Sequence, residues 1–253
     1  MRQPMSRPSE HDSVTPRRQF IGELAAGAAA FAAIACSPAA AATSASSQAP
    51  TPASPPSDAN HASLPKQSEL TWDTSWMSRI TAKHKVVFDS PEINDGDALW
   101  SASGYFDWVK DVFKTGDSDS SVVVVLRHFA VPMLYSDAMW AKYDLGAETK
   151  TTDPSTKKPA KRNIFYKKLD KDGKPATGDE AAASIAALTS RGVIFLGCDM
   201  ATRGFASRIA EKTKQQQSAV YEELKQNLLP TATLLPTGIF ATLLAQEAGC
   251  AKM

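Results

Sequence analysis

Apolar positions along the chain gather into short runs, separated by longer stretches with helical spacing. Lys85-Val86-Val87-Phe88-Asp89 is the first run, Ser121 to Leu126 with its four consecutive valines the second, and Val193 to Cys198 the third. Short β-branched runs of this kind suit strands covered on both faces. Gly192, just before the third run, stands where it can end the preceding helix. A weaker fourth strand is predicted at Ala232 to Leu235, between Pro230 and Pro236. Helical patterns cover Gly96 to Phe113, Ser136 to Tyr143, Asp179 to Ser190, Phe205 to Leu228 in one or two pieces, and Thr237 to Ala248. Strands alternating with helices indicate βαβ crossovers. The expected fold class is therefore α/β, a single three-layer domain with a mostly parallel sheet flanked by helices.

The N-terminal pattern is of a different kind. Arg17-Arg18-Gln19-Phe20-Ile21, an Ala/Gly-rich apolar run to Ala35 and the small residues Ala39 to Ala42 come in the order of a twin-arginine export signal. The run is too short to remain as a membrane span. Residues 1–42 are thus expected to be a cleaved signal, which implies a periplasmic product exported already folded. Cys36 opens the alternative of lipid attachment, although Ala33-Ile34-Ala35-Cys36 is a poor lipobox. Residues 43–70, dominated by Ala, Ser, Pro, Gln and Asn, cannot bury a core and read as a flexible linker. Residues 71–253 are left as one domain. Its segment from about 146 to 178, rich in Lys, Thr, Pro and Asp, reads as a long loop insertion, functional or disordered.

Composition narrows the partners without naming one. The 253-residue chain has a formal net charge of +1, which gives no field favouring nucleic acid. No apolar run of membrane length follows the signal, so the body is expected to be soluble unless Cys36 is lipidated. A P-loop and a GxGxxG after a strand are both missing, so no nucleotide cofactor is indicated. The cofactor is unknown, and no metal-ligand spacing such as CxxC or HxxH occurs.

Candidate chemistry rests on few residues. Cys198 ends the third strand and leads into a predicted helix, where a thiolate is favoured by the helix dipole and the strand ends of an open sheet form the ligand crevice. A buried packing cysteine is the competing reading. His128 and Arg127 follow the second strand and reach the same edge, where they could support the thiol; a hydrogen-bonded structural His128 is the alternative. Asp89, Glu92 and Asp95 follow the first strand and are candidate ligand-binding carboxylates, with helix capping as a second explanation for Asp95. Cys250 is the other cysteine of the mature chain, and a Cys198–Cys250 disulfide is open in an oxidising compartment if their Cα atoms lie within roughly 7 Å. Trp140 and Tyr143, at i and i+3, form a stripe for the core or a subunit interface.

Arg191-Gly-Val-Ile-Phe-Leu-Gly-Cys-Asp-Met-Ala201 resembles the cysteine strand of the DsrE/DsrF family of sulfur-handling proteins. Val86 to Asp89 stands in the place of that family's first strand and the valine run ending in Arg127-His128 in the place of its second. Leu229-Pro230 with Leu234 to Ile239 resembles its last strand and turn. The likeness spans about Lys83 to Cys250. It implies a small doubly wound domain, a homo-oligomer, and a cysteine at the place of Cys198 that takes a persulfide and passes it to a sulfur-relay partner protein. The export signal, the linker and the 146–178 insertion depart from that family's usual short cytoplasmic chain. A second expectation, from another class, is a periplasmic module that binds a small ligand or metal, or presents an oligomer surface, through the crevice of residues 89–97, 127–135 and 198–203.

Overall fold

The computed structural model describes residues 64–253. The expected signal, Cys36 and most of the expected linker lie outside the described residues. In chain order the elements are β1 (His84–Ser90), α1 (Asp97–Phe113), β2 (Ser120–Leu126), α2 (Asp137–Tyr143), α3 (Leu145–Glu148), α4 (Gly178–Ala182), α5 (Ile185–Ser190), β3 (Ile194–Cys198), α6 (Asp199–Thr213), α7 (Gln217–Gln226), β4 (Ala232–Leu235), α8 (Gly238–Glu247) and β5 (Ala251–Lys252). Short 3₁₀ helices punctuate the loops, including Gln67–Glu69, Asn94–Gly96 and the seven-residue His128–Leu134.

All strands run parallel, in the order β4-β3-β2-β1-β5. The α/β three-layer class is thus as the sequence pattern predicts. Because side chains alternate along a strand, the valine run serves two cores at once. Val122, Val124 and Leu126 join Phe88 and Phe195 in a larger core beneath α1, α5, α6 and α7. Val123 and Val125 join Val87, Leu196 and Leu235 on the other face, under α8 and residues Trp76 and Ile80.

The handedness of crossovers explains which helices cover which face. From β1 to β4 the strands are laid down in one direction, so right-handed connections keep their helices on one side. The return from β4 to the far edge at β5 reverses direction, and the same hand sends α8 to the opposite side. Adjacent strands β3 and β4 therefore lead into helices on opposite faces, and a crevice opens between their carboxyl ends.

Several elements differ from the sequence reading. The expected Asp179–Ser190 helix breaks at Ala183, and Ser184 caps the second piece by accepting a hydrogen bond from the Ala187 amide. The helix expected over 205–228 in one or two pieces is two pieces, divided at Lys214, whose left-handed backbone (φ 58°) ends α6, but it begins earlier, at Asp199. Strand β5 has two exposed residues, too few to leave a pattern. Residues 64–70, expected as linker, are docked: the Gln67 side chain donates to Asp199 and to the Pro236 carbonyl, and Arg203 donates to the Pro65 carbonyl.

The 146–178 segment is a folded strap rather than a loose excursion. Its Ala160, Phe165 and Asn163 are buried. The Asn163 amide donates to the Met133 and Tyr135 carbonyls at 2.7 and 2.8 Å, and its oxygen accepts from the Phe165 and Tyr166 amides. Gly146 passes so close to Ala160 that an added Cβ would meet backbone atoms at 2.3 Å. Among the described residues no helix is long and apolar enough to cross a membrane.

Asn163→Ala strips three buried backbone groups, the Met133 and Tyr135 carbonyls and the Phe165 amide, of their side-chain partner at once, and is expected to cost about 3 kcal/mol, at the upper end for an unmet buried hydrogen-bonding site. A urea unfolding midpoint lowered by that free energy divided by an unchanged slope is the expected result; a midpoint equal to the parent's would show that the Asn163 side chain contributes nothing to the fold.

Candidate functional site

Cys198 is the last residue of β3 and also the cap of α6. The Cys198 sulfur accepts a hydrogen bond from the Ala201 amide at 3.3 Å, and its carbonyl accepts one from the Thr202 hydroxyl. The sulfur thus faces backbone N–H groups at the positive end of a 15-residue helix. Its residue is only 3% exposed.

In front of it lies a cavity of about 400 Å³, at the crevice between the diverging β3 and β4 connections. Three carboxyl-end loops wall it: Arg127, His128 and Phe129 after β2, Met200 and Ala201 after β3, and Thr237, Gly238 and Ile239 after β4. Thr237 caps α8, its hydroxyl accepting from the Phe240 amide, so a second helix N-terminus opens on the same space. Most of the wall is apolar, from Phe129, Met200, Phe205 and Ile239. Its charged groups are the guanidiniums of Arg127 and Arg208.

Both arginines are held from behind by carboxylates. Arg127 makes a two-pronged bond to Asp89, Nε to Oδ1 at 2.6 Å and Nη2 to Oδ2 at 3.1 Å, and Lys252 of β5 adds a third contact at 3.0 Å. Burial works to raise the Asp89 pKa, but the bonds from Arg127 and Lys252 and their charges bring it below the ordinary value. The Arg127 pKa is raised, chiefly by the bond to Asp89, with a further contribution from a charge on Cys198. The stem of Arg127 lies on Gly238, where a Cβ would come within 2.4 Å of it. Arg208 pairs with Glu148 at 3.0 Å and lies 4.3 Å over the Phe205 ring.

Of the predicted site residues, the structure brings Cys198, Arg127 and His128 to one cavity. His128 is exposed and sits in left-handed backbone (φ 47°), which turns the chain from β2 into the wall. Among the described residues no third His, Cys, Asp or Glu joins Cys198 and His128 as a metal cluster. Asp89 stands behind Arg127 as its counter-ion, with its side chain 5% exposed. Glu92 is exposed and lines neither cavity, while Asp95 lines a different one.

The Cys198–Cys250 disulfide is overturned by topology. Both cysteines are free. Cys250 precedes β5 at the amino-terminal end of the far edge, next to the residue aligned with Val86, whereas Cys198 aligns beyond Ser90. The two are three strands apart, about 14 Å across the sheet and about 20 Å along it, far outside bridging range. Burial raises the Cys250 pKa against the opposing charge of Lys85.

Comparison with known proteins found no matching family, no matching curated protein and no matching solved structure.

Sequence reasoning missed Arg208, Phe205 and the β4–α8 turn as parts of the site, whereas Phe129 falls within the expected 127–135 segment. A signal for part of this was present: Ala201, Gly204, Phe205 and Arg208 follow Cys198 at i, i+3, i+4 and i+7, the spacing of one helix face. The fully buried Asp199 was not recognised as a hub, and it accepts hydrogen bonds from Arg203, Tyr221 and Gln67 at 2.6, 2.6 and 3.0 Å. This network anchors the first turn of α6, directly beside the thiol.

Asp89→Ala leaves Arg127 and Lys252 without their shared carboxylate and is expected to destabilise the domain by about 3–5 kcal/mol, as for other broken buried ion pairs. Because the Asp89 pKa is depressed on folding, its contribution is full above the unfolded value of about 3.9 and is lost as pH falls below it. The difference in stability between parent and variant, measured by denaturation from pH 7 down to pH 2, should therefore shrink toward the acid end. A constant difference would show that the pair is not the source.

Proposed function

We propose that the chain is an exported DsrE-like protein in which Cys198 accepts sulfur and hands it on. One observation carries this reading: a single thiol, capping a helix N-terminus, forms the floor of a cavity built from three strand ends. Anionic sulfur at that point meets the Ala201 amide, and Arg127 and Arg208 stand in the walls.

The chemistry needs no outside oxidant. The Cys198 thiolate attacks the outer sulfur of a donor persulfide, R–S–SH. A new S–S bond forms on Cys198, the donor's S–S bond breaks, and the donor leaves as R–S⁻. Charge is conserved, and the terminal sulfur keeps its proton. Delivery to an acceptor thiolate is the same exchange in reverse. His128 and Arg208, both exposed, line the cavity that a donor must enter.

A second reading is a binding module that uses this cavity without chemistry on sulfur. The low exposure of Cys198 and the apolar wall favour it, since such a wall suits a small ligand with an apolar body.

Intact mass of the protein recovered after export, before and after treatment with a small-molecule persulfide, separates the two. The expected gain is one sulfur, removed by reduction, retained in Cys250→Ser and abolished in Cys198→Ser. Arg208→Gln should slow loading about tenfold by removing a positive charge that favours the departing R–S⁻. Absence of any gain, or sulfur carried by Cys250, sinks sulfur transfer and leaves the binding reading. The same spectrum reports the mature N-terminus: cleavage near Thr43 supports the export reading, and lipid mass on Cys36 replaces the soluble product by an anchored one.

A further inference from the structure

The strap between α3 and α4 builds a second cavity, of about 280 Å³, that shares no lining residue with the thiol site. Phe165 and Leu169 give it an apolar floor, Trp100 of α1 contributes an indole face, and Lys168, Asp95 and Glu180 bring charge to it. Lys168 is fixed by a tight turn of the strap, in which the Ala176 amide donates to the Lys168 carbonyl at 3.0 Å and the Asp170 amide to that of Lys174 at 2.8 Å. Its ammonium lies 4.2 Å from the centre of the Trp100 ring. Asp95 is presented by three successive left-handed residues, Asn94, Asp95 and Gly96. Gly96 lets Phe165 close in, since a Cβ there would meet its ring at 3.2 Å.

The arrangement is incomplete as it stands. A half-buried ammonium offers three donors, and among the described residues that of Lys168 has neither a hydrogen-bond acceptor nor an ion-pair partner. Burial pushes its pKa down, with the charge of Glu180 opposing. An oxyanion would complete it. Yet the exposed Asp95 and Glu180 disfavour a ligand that carries negative charge alone. A ligand with a carboxylate and an ammonium close together meets both demands, and the floor accepts an aliphatic or aromatic group. The cavity is at the small end of ligand sites, which excludes anything much larger than a single residue.

We propose that this cavity binds a free α-amino acid with an apolar side chain. The carboxylate pairs with Lys168, the ammonium faces Asp95 and Glu180, and the side chain lies against Trp100, Phe165 and Leu169. This assignment is independent of the role of Cys198.

Titration calorimetry of the full chain with L-leucine, N-acetyl-L-leucine and isopentylamine tests it. Saturable binding of L-leucine is expected, with each analogue at least about tenfold weaker for want of one charge. Lys168→Met should weaken L-leucine at least about tenfold, and Glu180→Gln, at an exposed position, should weaken it in the same direction even if Lys168→Met fails to fold. The rate of Cys198 labelling, unchanged in either variant, certifies that the domain is intact. No saturable heat with L-leucine overturns the proposal. So does equal binding of either analogue, or L-leucine affinity unchanged in folded Lys168→Met or in Glu180→Gln.

Discussion

The right hand of parallel crossovers is the constraint on which this molecule's geometry depends. It keeps the helices of the first three connections on one face and forces α8 to the other when the chain turns back toward β5. The connections that leave β3 and β4 must then part, and the gap between them is lined where Phe205 of the larger core reaches it. Cys198 occupies the end of one of those strands, and its burial, its cap to Ala201 and its cavity all follow from that position.

Charge is used here to hold the gap open. Asp89 and Lys252 grip Arg127 from behind, and Gly238 leaves room for its stem, so the guanidinium forms a wall rather than filling the space. The edge strand β5, two residues long, gains its purpose from this contact: Lys252 lies beside Val87 in the sheet and reaches the carboxylate two residues further along β1. On the far side of the cysteine the Asp199 hub fixes the first turn of α6 and draws residues 65–67 onto it. The thiol is thus clamped between two ionic groups whose carboxylates, Asp89 and Asp199, are both buried and would be costly to leave unpaired.

The strap at 146–178 illustrates how composition misleads. Its Lys, Thr, Pro and Asp content reads as solvated loop, yet the Asn163 side chain bonds four backbone groups, and Phe165 and Ala160 enter the core. Hydrogen bonding by one buried amide replaces the regular ladders that a pattern search looks for. Its second cavity exists only because that backbone is held.

The strands were legible because β-branched runs at Val86, Val122–Val125 and Ile194 have no helical spacing and must be buried on both sides, which fixes a parallel α/β sheet from local pattern alone. That Cys198, Arg127 and His128 share an edge was legible for the same reason, since parallel strands all end on one side. The fate of Asp89, the separation of Cys198 from Cys250, the arrival of Arg208 and Gly238 at the thiol, and the order β4-β3-β2-β1-β5 were not. Each depends on which strand lies beside which, and pairing between distant segments leaves no local signature. Sequence alone determined the first four strands, the α/β alternation and the end of the sheet at which the chemistry stands. Tertiary structure decided which residues meet there, because lateral order and crossover direction are set only when the strands assemble.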